Sequence, residues 1–331
     1  MMHGAIISSA ILAGLLCAAI MGHAIQRGGT CMVAAVEELV RDRRMTRLAA
    51  MGEAGLWVVL GLLLARAAGH LPVAPAAYPV GIGTVLGGAL LGLGAFANGA
   101  CVLGSIARLG SGKWAYCATP LGYFAGCLPL GLIPAAPPPA GAGSLVLAGS
   151  AILVLAAPLS LYALWRGRSA LHAVRNGMVR AHVWAPHQAT MVIGIAFVVM
   201  MLILGNWSYT QVLADAAHGM FAGQSVRLAL FAALLAGAIH GGWTAGTLAP
   251  ALPRARDLAR CFAGGFLMGT GSMLVPGGND GLVLLGLPLL LAYAWVAIAG
   301  MVATLLIAAL IAPLIAPMIA KQWPSTGQRQ A

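Results

Sequence analysis

The sequence predicts an all-α, polytopic membrane protein: about nine transmembrane helices, short re-entrant helices between them, and two inverted-topology repeats. Three observations carry the class. Hydrophobic residues make up 61% of the 331 and charged residues only 8%, against about a quarter charged in soluble domains, so the chain cannot cover itself with a hydrated surface. Apolar runs near the ~20 residues that cross a bilayer recur along its length. The runs are continuous, with no period-two alternation, which selects helices over a closed barrel, the other way to satisfy backbone polar groups in lipid. The net charge of +11 forms no basic stripe on a soluble face, so the expected partner is the lipid bilayer and not nucleic acid.

Taken in order, full spans are expected near 4–26, 50–68, 79–97, 114–135, 145–165, 188–205, 226–248, 260–275 and 295–320. Pieces too short to cross lie at 31–41, 99–109, 209–221 and 279–290. The opening MMHGAIISSAILAGLLCAAIMG carries no basic residue ahead of its apolar core, which argues against a cleaved signal peptide. AAPPPAGAGS at 135–144 reads as an outer loop that introduces the fifth span. Threading nine spans places sixteen of the 18 Lys and Arg on one side, leaving Arg66 and Arg227 on the other. Basic loops remain cytoplasmic. The expectation is a cell inner-membrane protein with its N-terminus outside and its C-terminus inside.

An internal repeat appears at an offset of 177 residues. It sets Gly87, Gly88, Gly92, Gly94 and Gly104 on Gly264, Gly265, Gly269, Gly271 and Gly281, and Leu90 on Leu267. Gly28 on Gly205 and Glu38 on Asp215 follow the same offset. Each half then holds four spans and two short pieces, and an odd connecting span inverts the second half. The layout is a first repeat over 1–135, a connecting span and basic cytoplasmic loop over 136–187, a second repeat over 188–320 and a tail over 321–331. Inverted repeats are typical of transporters with a midplane site; the same glycines also suit close helix packing.

The offset also pairs the starts of the short pieces, Cys31 with Ser208 and Cys101 with Gly278. Each follows a helix-breaking stretch: QRGGTC, NGAC, GNWS and VPGGN. A broken helix exposes free N–H groups and a positive dipole end, which suits a small anion without a buried cation. The candidate substrate-binding residues are Cys31, Cys101, Ser208 and Gly278 at the tips, with Asn98 and Asn279 beside them. Arg108 and Lys113 belong to the cytoplasmic exit.

AIQRGGTCMVAAVEEL and GALLGLGAFANGACVLGSIARLGSGKW resemble the two N-terminal signatures of the YeeE/YedE family of membrane proteins, associated with uptake of sulfur compounds such as thiosulfate. GGFLMGTGSMLVPGGNDG resembles the C-terminal signature, which usually reads Gly-Cys-Asn where this chain has Gly277-Gly278-Asn279. The resemblance implies a transporter, with Cys31 and Cys101 lining the path of a sulfur-bearing anion and the third cysteine missing. Ser272 and Met273 lie near enough in sequence to compensate. A thiol is a weak, soft partner, and weak sites in series release what they bind. The alternative is a non-transporting membrane receptor or scaffold for a cytoplasmic sulfurtransferase. No Ser/His dyad, HExxH or paired intramembrane carboxylates suggest an enzyme, and no cofactor or metal is expected.

Other features have weaker readings. The basic, amphipathic loop RGRSALHAVRNGMVRAHVWAPH (166–187) suits adhesion to anionic lipid, or docking of a cytoplasmic sulfur-carrier protein. Its His172, His182 and His187 lack the i, i+4 spacing of a metal pair. Cys17, Cys117, Cys127 and Cys261 read as small buried hydrophobes, and His218 and His240 as packing groups near the core of the second half. Asp215 and Asp280 are acids near membrane depth, where such groups are expensive and often functional; either suits proton coupling.

Overall fold

A computed structural model describes residues 2–70, 76–128, 138–142, 151–177, 182–220 and 223–322. The first part of the chain forms α1 (Met2–Gly28), α2 (Met32–Asp42), α3 (Thr46–Ala67), α4 (Ile82–Asn98), α5 (Val102–Gly110) and α6 (Ala118–Gly126). After α7 (Ala151–Arg175) come α8 (Pro186–Leu204), α9 (Tyr209–Ala217), α10 (Gln224–Thr244) and α11 (Ala255–Leu274). The short α12 opens over Asn279–Gly281 and widens into a π-turn over Leu282–Gly286, and α13 (Ala292–Gln322) closes the chain. The described strands, Ala76–Ala77 and Gly141–Ala142, form one antiparallel two-residue ladder.

Six stretches are long and apolar enough to cross a membrane: Ser8–Asp42, Thr46–Ala67, Ile82–Gly110, Pro186–Leu204, Gln224–Thr244 and Ala292–Pro313. Counting the pair Ala255–Leu274 and Asn279–Gly286, bent by 59°, gives seven. These counts hold among the described residues; the spans expected at 114–135 and 145–165 each run partly outside them.

Each short helix begins where a glycine takes a conformation closed to most residues. Gly29 (φ 56°), Gly99 (75°), Gly205 (86°) and Gly277 (126°) all have positive φ, which glycine adopts without the Cβ penalty. Each lies one to three residues before the N-caps Cys31, Cys101, Ser208 and Gly278. The glycine ends one helix and the next residues start another at a new angle.

Helix packing follows the small residues. α1 lies against α8 and α10, and α3 against α8. α4 lies against α11 and α13, and α11 against α6. At the α4–α11 crossing, a Cβ on Gly87 would stand 2.7 Å from the Gly271 carbonyl oxygen, and one on Gly271 2.7 Å from that of Gly87. Gly94 and Gly264 repeat the arrangement at 2.7 Å in both directions. These helices touch backbone to backbone, as small residues permit in lipid.

Loops carrying many of the basic residues gather at one end. Trp184 N–H donates to the Arg27 carbonyl (3.1 Å), Ala249 N–H to that of Ser111 (3.2 Å), and Arg27 Nη2 to the Thr244 hydroxyl (2.8 Å). Several side chains differ from expectation. Arg166 is no loop residue: it lies within α7 and forms an ion pair with Glu53 of α3 (2.6 Å). Cys117 is exposed, because it sits in the short 3-10 turn Trp114–Cys117 ahead of α6 and not inside a span. His218 and His240 are also exposed; the His240 ring lies 3.2 Å from His23 Nδ1.

Candidate functional site

Two of the predicted tips meet. Cys31 at the start of α2 is 7% exposed and Cys101 at the start of α5 is fully buried. Met32 N–H donates to Cys101 Sγ at 3.3 Å, and Cys101 N–H points to Cys31 Sγ at 3.5 Å. Neither side chain makes a capping hydrogen bond to its own helix; Cys101 Sγ receives the first N–H of α2, and Cys31 Sγ faces the N–H of Cys101 itself. Gly104, one turn into α5, makes the room, since a Cβ there would overlap Cys31 Sγ and stand 2.8 Å from its Cβ.

The tips of the second half line a cavity of about 540 Å³. Ser208, Thr210, Gly278, Tyr123 and Ser272 form its polar wall, and Met273 lies beside them. The Ser208 hydroxyl caps α9 by accepting from Gln211 N–H (3.2 Å). Gly278 has φ −77°, open to any residue, but its surroundings are filled. A Cβ there would press on Thr210 Oγ1 and stand 2.7 Å from the Tyr123 hydroxyl. The space beside Gly278 is thus taken by two hydroxyl groups. At the rim, Arg227 is ion-paired to Asp215, which also accepts from Gln211 Nε2 (2.7 Å); His218 lies there too.

The two asparagines beside the tips differ. Asn98 is fully buried and satisfied: its Nδ2 donates to Ala100 O (2.7 Å) and Ser105 Oγ (2.9 Å), and its Oδ1 accepts from Thr119 (3.0 Å). It holds the α4–α5 break together and has little capacity left for a ligand. Asn279 is equally buried, yet among the described residues neither its Oδ1 nor its Nδ2 has a partner.

Tyr209 links the cavity-lining tip of α9 to the helix start at Cys101. It opens α9 next to Thr210, is 3% exposed, and its hydroxyl donates to the Val102 carbonyl one residue beyond Cys101 (2.8 Å). Cys31 also lines a crevice of about 10 Å³ with Gly28, Gly29, Thr30, Arg47 and Thr190. The crevice thus reaches Cys31 directly, and the cavity wall is joined to the residue after Cys101 through Tyr209.

Tyr123, Thr210 and Tyr209 were not legible as site residues. Tyr123 sits in an apolar segment 155 positions from Gly278, and no local pattern marks it. Thr210 and Tyr209 had a signal, since they directly follow the Ser208 tip.

The chain has relatives. The family described as Sulphur transport matches residues 27–307. The thiosulfate transporter TsuA of Escherichia coli (strain K12) is 34% identical over 108 residues. That alignment covers 31% of this chain and 29% of the length of TsuA.

Proposed function

Since the chain belongs to the Sulphur transport family, the YeeE/YedE family that its motifs resemble, we propose that it imports a small sulfur-containing anion of the thiosulfate type across the inner membrane. The observation that carries this reading is the buried Cys31–Cys101 pair at two helix starts, joined to the cavity-lining tip of α9 by the Tyr209–Val102 hydrogen bond. The partial alignment to a protein named a thiosulfate transporter supports the substrate class.

In this reading the anion enters the cavity from outside, where Arg227 at the rim offers a charge already half-neutralised by Asp215. It then meets hydroxyl donors and the N-terminal ends of α9 and α12, which favour negative charge without a permanent cation. Passage inward goes by Tyr209 to the thiols, soft partners for a polarizable sulfur. It ends in the crevice beside Arg47. Such weak sites in series bind well enough to admit and loosely enough to release.

The halves 1–135 and 188–320 are proposed as inverted repeats around this path, with residues 136–187 joining them and a nine-span chain ending inside. The pattern of helix contacts supports this. Shifting by 177 residues turns the pair α1–α10 into α8–α3 and the pair α4–α13 into α11–α6, and both members of each exchange are in contact. The Gly87–Gly271 contact becomes Gly264–Gly94 under the same shift. The grouping of basic loops at one end supports a cytoplasmic face there.

Cells that lack their own sulfate and thiosulfate importers test the function. Expression of this chain is expected to give uptake of labelled thiosulfate well above the empty-vector background. Full expression with background uptake, together with co-purification of a sulfurtransferase that depends on residues 166–187, would favour the scaffold reading instead.

A further inference from the structure

Asp215 and Asp280 are the two acids beside the cavity, and their surroundings separate them. Asp215 has a permanent counter-ion in Arg227. Asp280, 3% exposed, lies behind the cavity wall in the first turn of α12. Its Oδ1 accepts from the Thr210 hydroxyl and from Gly281 N–H (2.9 Å). Thr210 itself lines the cavity, so a single hydroxyl separates this carboxyl group from whatever the cavity holds.

The titratable groups facing Asp280 are the phenols of Tyr123 on α6 and Tyr209 on α9. Among the described residues no Lys, Arg or His forms an ion pair with it. Nearby, among the described residues, the side-chain amide of Asn279 has no partner, and the Tyr123 hydroxyl, which lines the cavity, faces Thr210 and Ser272. The cationic side chain on this cavity, Arg227, is ion-paired to Asp215 and not to Asp280, and His218 lines the same cavity.

Buried without an ion-pair partner, an ionised carboxylate is costly in a membrane. An anion entering the cavity would add like-charge repulsion across one hydroxyl, and like charges favour the protonated form. A metal cation would need several converging oxygens, whereas the groups on Oδ1 are hydrogen donors. From this geometry we infer that Asp280 is the proton-coupling site: the anion is carried together with a proton held on the Asp280 carboxyl group. The proton arrives from the cavity by way of the Thr210 hydroxyl and is released once the anion has moved inward. No bond in the anion is made or broken.

This inference rests on the transport reading above. The test uses the full chain in proteoliposomes with a pH-sensitive dye inside and labelled thiosulfate outside. Thiosulfate uptake is expected to acidify the lumen, and an inside-alkaline gradient of one pH unit raises accumulation up to about tenfold per coupled proton. In Asp280→Asn, which fixes the neutral state, that stimulation falls to a ratio of about one. A second measurement needs no variant: anion binding to the detergent-purified protein in weak buffer takes up protons from solution. Wild-type uptake without lumen acidification, or driven by sodium instead, overturns the inference and leaves transport standing. No uptake at all by well-reconstituted protein removes both.

Discussion

Cys101→Ala is expected to lower thiosulfate uptake by about tenfold or more while the protein stays folded and in the membrane. The thiol is buried, it receives the first N–H of α2 (3.3 Å), and its own N–H faces the other thiol. Truncation removes one small atom and leaves one N–H unpaired, a stability cost on the order of 1–3 kcal/mol. A helix-rich membrane core absorbs that, whereas a path that depends on soft sulfur contacts does not. Cys117→Ala is the matched control, because that thiol is exposed in the turn before α6; its uptake is expected to equal wild type at equal abundance.

Gly278→Cys, which restores the family's usual residue at this tip, is expected to lower uptake severalfold and not to improve it. The backbone is no obstacle, since φ −77° and ψ 169° suit any residue. Space is the obstacle. The new Cβ would meet Thr210 Oγ1 and stand 2.7 Å from both Thr210 Cβ and the Tyr123 hydroxyl, and Thr210 is tethered to Asp280. Overpacking of this kind costs about 1–3 kcal/mol and displaces the hydroxyls that line the cavity. Thermal stability and uptake of the purified variant check both parts; a gain in thiosulfate uptake would show that the site tolerates a thiol here.

Much of the fold was legible because its determinants are local. Apolar runs and glycine-broken tips mark where helices begin and end, and the observed N-caps fall at Cys31, Cys101, Ser208 and Gly278. The five repeated glycines were also readable, though only the structure shows what they do at each crossing. Of the candidate site, the sequence marked the two thiols that meet in the structure and missed the hydroxyls of Tyr123 and Thr210 that line the cavity. The contact of Cys31 with Cys101 joins residues 70 positions apart, and that of Thr210 with Asp280 another 70; no local period encodes such pairs. The same reason hid the Arg166–Glu53 ion pair, which joins helices 113 positions apart in the chain. Asn98 and Asn279 look alike in sequence, and only their neighbours tell the satisfied one from the unsatisfied one.

The claim that the anion passes the buried thiols is tested most directly by substrate protection. In a variant retaining Cys31 and Cys101, with the other four cysteines replaced, a small neutral thiol reagent is applied during turnover and modification of each thiol is followed by mass spectrometry. Saturating thiosulfate is expected to slow modification of Cys101 severalfold, while chloride at the same ionic strength leaves it unchanged. Equal modification rates with and without thiosulfate, in protein that still takes up the anion, would contradict a path along Cys101.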